Sequence, residues 1–206
     1  MRTYLILLSF LIIPFFFSEA QNSIETYIEQ GIELHDQGNY KEAIDIYKKA
    51  LEEYPESMLL YYEVALSYLS LTNYEEAIRW SERALEAKDK VDNTSLVYSV
   101  MASAYDNWGK YEEAIRIFDR GIQEDPDNYL LYFNQGITYR KMGEEKEAMI
   151  SFFQALTLFP LHLSTLYHSA GLLAENGYPG MAFYNYCFFY YLNRIRREAV
   201  PLWKTY

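Results

Sequence analysis

The chain reads as an all-α protein, a solenoid of paired helices in about five repeats. Three observations carry that reading. Small residues return every 34 positions, helix-stopping glycines and prolines return with the same step, and aromatic residues fill the places between them. Ala43 and Ala77 are 34 residues apart, Ala77 and Ala114 are 37 apart, and Ala114, Ala148 and Ala182 follow at steps of 34. A step of this size marks a stack of supersecondary units. The three extra residues fall at Asp92-Asn93-Thr94, where a loop insertion is tolerated. Tyr40, Tyr74 and Tyr111 keep both steps, and Gly109, Gly143 and Gly177 keep the shorter one.

The first twenty residues stand outside this pattern. Arg2 gives a positive start, Tyr4 to Phe17 is almost wholly apolar, and Ser18-Glu19-Ala20 places small residues where a signal peptidase reads. This layout predicts a signal peptide over residues 1–20, cleaved between Ala20 and Gln21, and an exported protein, periplasmic or extracellular. The apolar run has 14 residues, against about 20 for a helix that spans a bilayer. An uncleaved anchor or a buried N-terminal helix are the alternatives. Membrane contact is expected only through an uncleaved signal.

The repeats follow in order. The first, 24–57, carries Tyr27, Gly31, Leu34, Gly38, Tyr40, Ala43, Tyr47, Ala50 and Pro55. The second, 58–91, carries Tyr61, Ala65, Tyr68, Tyr74, Ala77 and Ala84, with Ser81 where an aromatic residue belongs. The third, 95–128, carries Tyr98, Ala102, Tyr105, Gly109, Tyr111, Ala114, Phe118, Gly121 and Pro126. The fourth, 129–162, carries Tyr132, Gly136, Tyr139, Gly143, Ala148, Phe152, Ala155 and Pro160. The fifth, 163–196, is worn: Leu166, Ala170, Leu173, Gly177, Ala182 and Tyr186. In these residues the chain resembles the tetratricopeptide repeat (TPR) family. The resemblance implies a right-handed α-solenoid of helix-turn-helix repeats, a protein-binding function and no catalysis. It also implies a concave surface, lined mainly by the first helix (helix A) of each repeat, that holds an extended peptide or a partner helix.

Local chemistry sets the helix bounds. In the fourth repeat helix A is expected over Tyr129 to Met142, with Gly143 stopping it in the left-handed conformation. The second helix (helix B) is expected from about Glu144 to Phe159, with an acidic first turn that suits the helix dipole and Pro160 forbidding continuation. The small residues of the two helices let their axes approach to about 8–10 Å.

Helix A residues outside the packing columns are the candidate partner-binding groove: Glu29, Tyr62, Glu63, Asp106, Phe133, Asn134, Arg140, Tyr167 and His168. The groove is expected to be acidic at its N-terminal end and aromatic and polar at its C-terminal end. Asn134 can pair with a peptide backbone through its side-chain carbonyl and NH2 groups, and Phe133 and the tyrosines give contact area with few rotatable bonds. One TPR subset grips the carboxylate of chaperone tails with lysine, asparagine and arginine. This chain has Glu29, Glu63 and Val100 at such positions, so the resemblance does not extend to that clamp.

The last helix, Met181 to Leu192, is apolar nearly all round, which predicts burial on more than one side. Three readings stand side by side. Residues 197–206 fold back as a cap; Phe183, Phe188 and Tyr191 form an oligomer face; or a further repeat is missing. Cys187 on this helix is expected to be a small buried hydrophobe.

Composition and motifs narrow the function. The net charge of −11 repels nucleic-acid phosphates, so a protein or peptide partner is expected and not a nucleic acid. A single cysteine allows no internal disulfide. His35, His162 and His168 lie in no metal-binding spacing, and no phosphate loop or nucleophile elbow occurs. No cofactor and no enzymatic activity are expected.

Overall fold

The computed structural model describes residues 23–88 and 94–199. The proposed signal peptide, the Asp92-Asn93 part of the insertion and residues 200–206 lie outside the described residues. Ten α-helices run in order: α1 (Ile24–Asp36), α2 (Tyr40–Glu53), α3 (Met58–Ser70), α4 (Tyr74–Glu86), α5 (Thr94–Asn107), α6 (Tyr111–Glu124), α7 (Tyr129–Met142), α8 (Glu145–Leu158), α9 (Leu163–Glu175) and α10 (Pro179–Ala199). Consecutive helices pack in pairs, and each pair packs on the next in chain order. This is the all-α solenoid that the 34-residue step predicts, with no strand among the described residues.

The helix ends follow from residue chemistry. Ser57 Oγ and Asn73 Oδ1 accept from the backbone N–H of Leu60 and Glu76, both at 3.4 Å, satisfying donors that a helix start leaves open. Helix A of repeats one, three, four and five ends at Gly38, Gly109, Gly143 and Gly177, all at φ between +80° and +82°. At the equivalent place in repeat two stands Thr72, at φ +58°.

The small-residue columns bring the paired helices together. A Cβ added at Gly136 would lie 2.7 Å from two ring carbons of Phe152, and one added at Gly31 would lie 2.2 Å from the Tyr47 ring. In repeat two the pair is Ala65 and Ser81, both fully buried, with the Ser81 hydroxyl donating back to Ala77 O at 2.8 Å. The interior continues from repeat to repeat. One cluster joins Ala77 and Ile78 of α4 to Met101, Phe118 and Leu131 of α5, α6 and α7. Each pair therefore buries its apolar face only against its neighbours.

The C-terminal helix departs from expectation. α10 packs on α9 through one side, where Ala182 is buried and Asn185 Nδ2 donates to Ser169 Oγ at 3.1 Å. On the rest of the helix Phe183, Tyr184, Tyr190 and Tyr191 are exposed. The burial on more than one side that its composition predicts is not found, because no described element stacks beyond α10. Cys187 is likewise exposed and not buried. α10 also continues through Ala199, so 197–199 are helical and do not fold back.

Candidate functional site

The A helices of repeats three and four, α5 and α7, lie side by side. Polar groups join them. Asp106 on α5 accepts from Thr138 Oγ1 of α7 at 2.9 Å and from Lys141 Nζ one turn further on. Asp106 is almost fully buried, so its charge needs these partners. Between the helices, and reaching α9, is a cleft of about 340 Å³ lined by Ser103, Asp106, Asn107, Phe118, Phe133, Asn134, Ile137, Thr138, Lys141 and His168.

The cleft has an apolar floor and a polar rim. Phe133 lies edge-on to His162, with centroids 4.9 Å apart, and tilted on Phe152 at 6.2 Å. The His168 ring stacks over Phe152 at 6.2 Å. Burial holds the pKa of His168 below its ordinary value of 6.5, and the Arg140 charge pushes the same way. The Asn134 side chain makes no hydrogen bond to a described protein group, so its donor and acceptor both remain for a ligand. Such a cleft suits an apolar side chain of a bound peptide on Phe133 and Ile137, with the peptide backbone on Asn134. Among the described residues no three His, Cys, Asp or Glu side chains are grouped to hold a metal ion.

Four of the residues singled out in the sequence, Asp106, Phe133, Asn134 and His168, come together in this cleft. Five do not line it. Glu29 is exposed on α1. Tyr62 is half-buried against the cluster of Met58, Ala84, Ala87 and Val97. Glu63 is buried, accepts from Tyr47 Oη at 3.4 Å, and has its pKa raised by burial. The acidic N-terminal groove therefore loses its central carboxylate to the interior. Arg140 donates to Glu175 at 2.7 Å, and Tyr167 packs on Tyr186 and Phe189 of α10, with centroids 5.9 and 5.4 Å away. The ring of His168 faces Phe133 and Phe152, and Cys187 is exposed on the last helix.

Lys141 and Thr138 are cleft residues that the sequence reading missed. Their signal is a lateral step of 32 to 35 residues between neighbouring A helices. It recurs in His35 with Ser70 at 3.1 Å and in Arg140 with Glu175.

Comparison with known proteins agrees with this architecture. Tetratricopeptide repeat profiles match residues 24–57, 56–123 and 117–149, which together span 126 of the 206 residues. No curated protein matches the chain. Among solved structures, PilF of Pseudomonas aeruginosa is 22% identical, with a TM-score of 0.72 over 80% of this chain and 74% of its own. A thermophilic TPR protein of Thermus thermophilus is 21% identical, with a TM-score of 0.66 over 86% of this chain and 98% of its own. MamA of Desulfovibrio magneticus is 14% identical, with a TM-score of 0.67 over 82% and 94%. At these identities the likeness is one of fold. The repeat profiles, the returning small residues and the stacked helix pairs lead to one assignment: the chain belongs to the tetratricopeptide repeat family.

Proposed function

We propose that this chain is an exported scaffold or adaptor of the cell envelope or secretory pathway, holding a partner peptide or helix in the cleft between α5, α7 and α9. The observation that carries the reading is the meeting of Phe133, Asn134 and His168 from two neighbouring A helices over one apolar floor. Export rests on the N-terminal sequence alone, with Ala20 as the last residue of the signal. A protein partner suits the cleft, and the net charge of −11 disfavours a nucleic acid.

The test uses the full chain as bait in an extract of its own cells, with bound proteins identified by mass spectrometry. Phe133→Ala and Asn134→Ala should each weaken capture of the wild-type partner, by about tenfold where the side chain is a central anchor. Asn134→Ala removes no bond within the protein, so its effect separates binding from folding. Full capture by both variants would place the partner elsewhere. N-terminal sequencing of the mature protein should begin at Gln21.

A second reading, a self-associating scaffold, is favoured by one observation. Phe183 and Tyr191 of the expected oligomer face are 70% and 60% exposed, while Phe188 is half-buried and stacks on Tyr184.

A further inference from the structure

The helix B columns show what is unusual about α10. The positions that match Tyr184 in repeats one to three are Asp45, Arg79 and Arg116, and those that match Tyr191 are Glu52, Glu86 and Gln123. These are solvent-facing places, and all six residues are exposed, as are Ile150 and Thr157 of repeat four. In α10 both carry tyrosine, 68% and 60% exposed. The column of Phe183 holds Ile44 and Ile78, 4% and 7% exposed, and the half-buried Ile115 and Met149, each with a following repeat against it. In α10 both a stacking column and an outer column are apolar and open at once.

We propose that this face binds the same face of a second copy, with the two α10 helices antiparallel and a two-fold axis at Cys187. The inference rests on the self-association reading and specifies its geometry. On a helix, residues 183, 184, 187, 190 and 191 fall on one stripe, opposite the side formed by Ala182, Asn185, Tyr186 and Phe189 that meets α9. The stripe is symmetric about its centre. Antiparallel pairing with Cys187 on the axis sets Phe183 against the partner's Tyr191 and Tyr184 against the partner's Tyr190. A self-complementary patch is what an isologous two-fold interface requires.

Charge and area agree with this arrangement. Antiparallel pairing sets Arg194 opposite the partner's Gly180, seven residues from the axis, and keeps the two arginines about 20 Å apart. Parallel pairing would place them side by side. Taking roughly 200 Å² per aromatic side chain, the four open rings, 60% to 70% exposed, offer on the order of 500 Å² per copy. A pair would then bury about 1,000 Å², the area that a specific interface has to clear. Helix axes about 8–10 Å apart, with Cα atoms about 2.3 Å from each axis, leave facing Cα atoms about 4–5 Å apart, a distance that a disulfide spans.

Cys187 is the only cysteine, so it serves as a built-in reporter. The experiment treats cells expressing the full chain with copper phenanthroline and air. Each of two thiols gives up one proton and one electron to oxygen as the sulfur–sulfur bond forms. A non-reducing gel should show a species of twice the monomer mass, absent for Cys187→Ser. Tyr184→Glu with Tyr191→Glu should abolish it. The same pair should lower the dimer fraction of the purified chain at least tenfold in light scattering, with an unchanged melting temperature. In the Cys187→Ser background, a Phe183→Cys chain should cross-link to a Tyr191→Cys chain and neither to itself. A Tyr-dependent dimer with no cross-link at Cys187, or with self-linked Phe183→Cys chains, would overturn the antiparallel axis and leave self-association standing. A monomer at tens of micromolar would overturn both, whether residues 200–206 or another surface covers the face.

Discussion

The left-handed position after helix A is where a single residue most clearly resists its surroundings. Four repeats place glycine there, and repeat two places Thr72 at φ +58°. In this conformation a Cβ crowds the carbonyl oxygen, at a cost of about 1–2 kcal/mol that glycine escapes. A β-branched side chain makes the position a true outlier. Thr72 N–H still donates to Leu69 O at 2.9 Å, so the turn is formed and the strain is held within it. Thr72→Gly should therefore stabilise the protein by about 1 kcal/mol, after the extra chain entropy of glycine is subtracted. The thermal midpoint should rise by about 2–4 °C in a chain of this size. Thr72→Ala keeps the Cβ and should gain less. Equal midpoints for threonine and glycine would show that the turn carries no strain.

At the scale of elements, the junction of α7, α8 and α9 is built from rings. Tyr129 and Phe133 of α7 and Phe152 of α8 meet His162, the N-cap of α9, and His168 within it. Both histidines have their pKa lowered by burial, and His168 also faces Arg140, which is itself paired with Glu175. His168 Nδ1 is buried with no protein partner among the described residues. The unfolded chain thus binds a proton at a pH where the folded chain refuses it. The stabilising contribution is present above the ordinary histidine value and fades as pH falls through it toward the lowered folded value. Phenylalanine keeps the stacking and cannot take the proton. His168→Phe should match the wild type near pH 8 and melt progressively higher than it as pH falls from 7 to 5. Thermal melts of the two proteins across that range check this. A gap that stays constant with pH would sink it. Comparing the two proteins at each pH cancels the opposite contribution of Glu63, whose raised pKa favours the folded state in acid.

For the whole molecule, the repeat step made the fold legible because it is a local signal. Gly143 and Pro160 bracket α8 by backbone chemistry alone, and the expected bounds of 144 and 159 differ from the observed Glu145–Leu158 by one residue at each end. The cleft was legible only in part. Phe133, Asn134, Asp106 and His168 were found by subtracting the packing columns from helix A, but that subtraction cannot tell which way an edge position turns. Glu63 turns inward to Tyr47, and Tyr62 joins a core cluster. α10 was misjudged because composition reports what a surface could bury, not whether anything covers it. The same one-dimensional order governs stability. α1 and α2 pack on each other and on α3, whereas Phe152 is fully buried among α7, α8 and α9. Phe152→Ala should cost about 3–5 kcal/mol locally. In a stack joined only by nearest-neighbour contacts the loss stays close to its source. Hydrogen exchange should then show amides of α7 to α10 losing protection while those of α1 and α2 change little. If the amides of α1 and α2 lost as much as those of α8, the solenoid would unfold as one unit, and its repeats would not be separable carriers of stability.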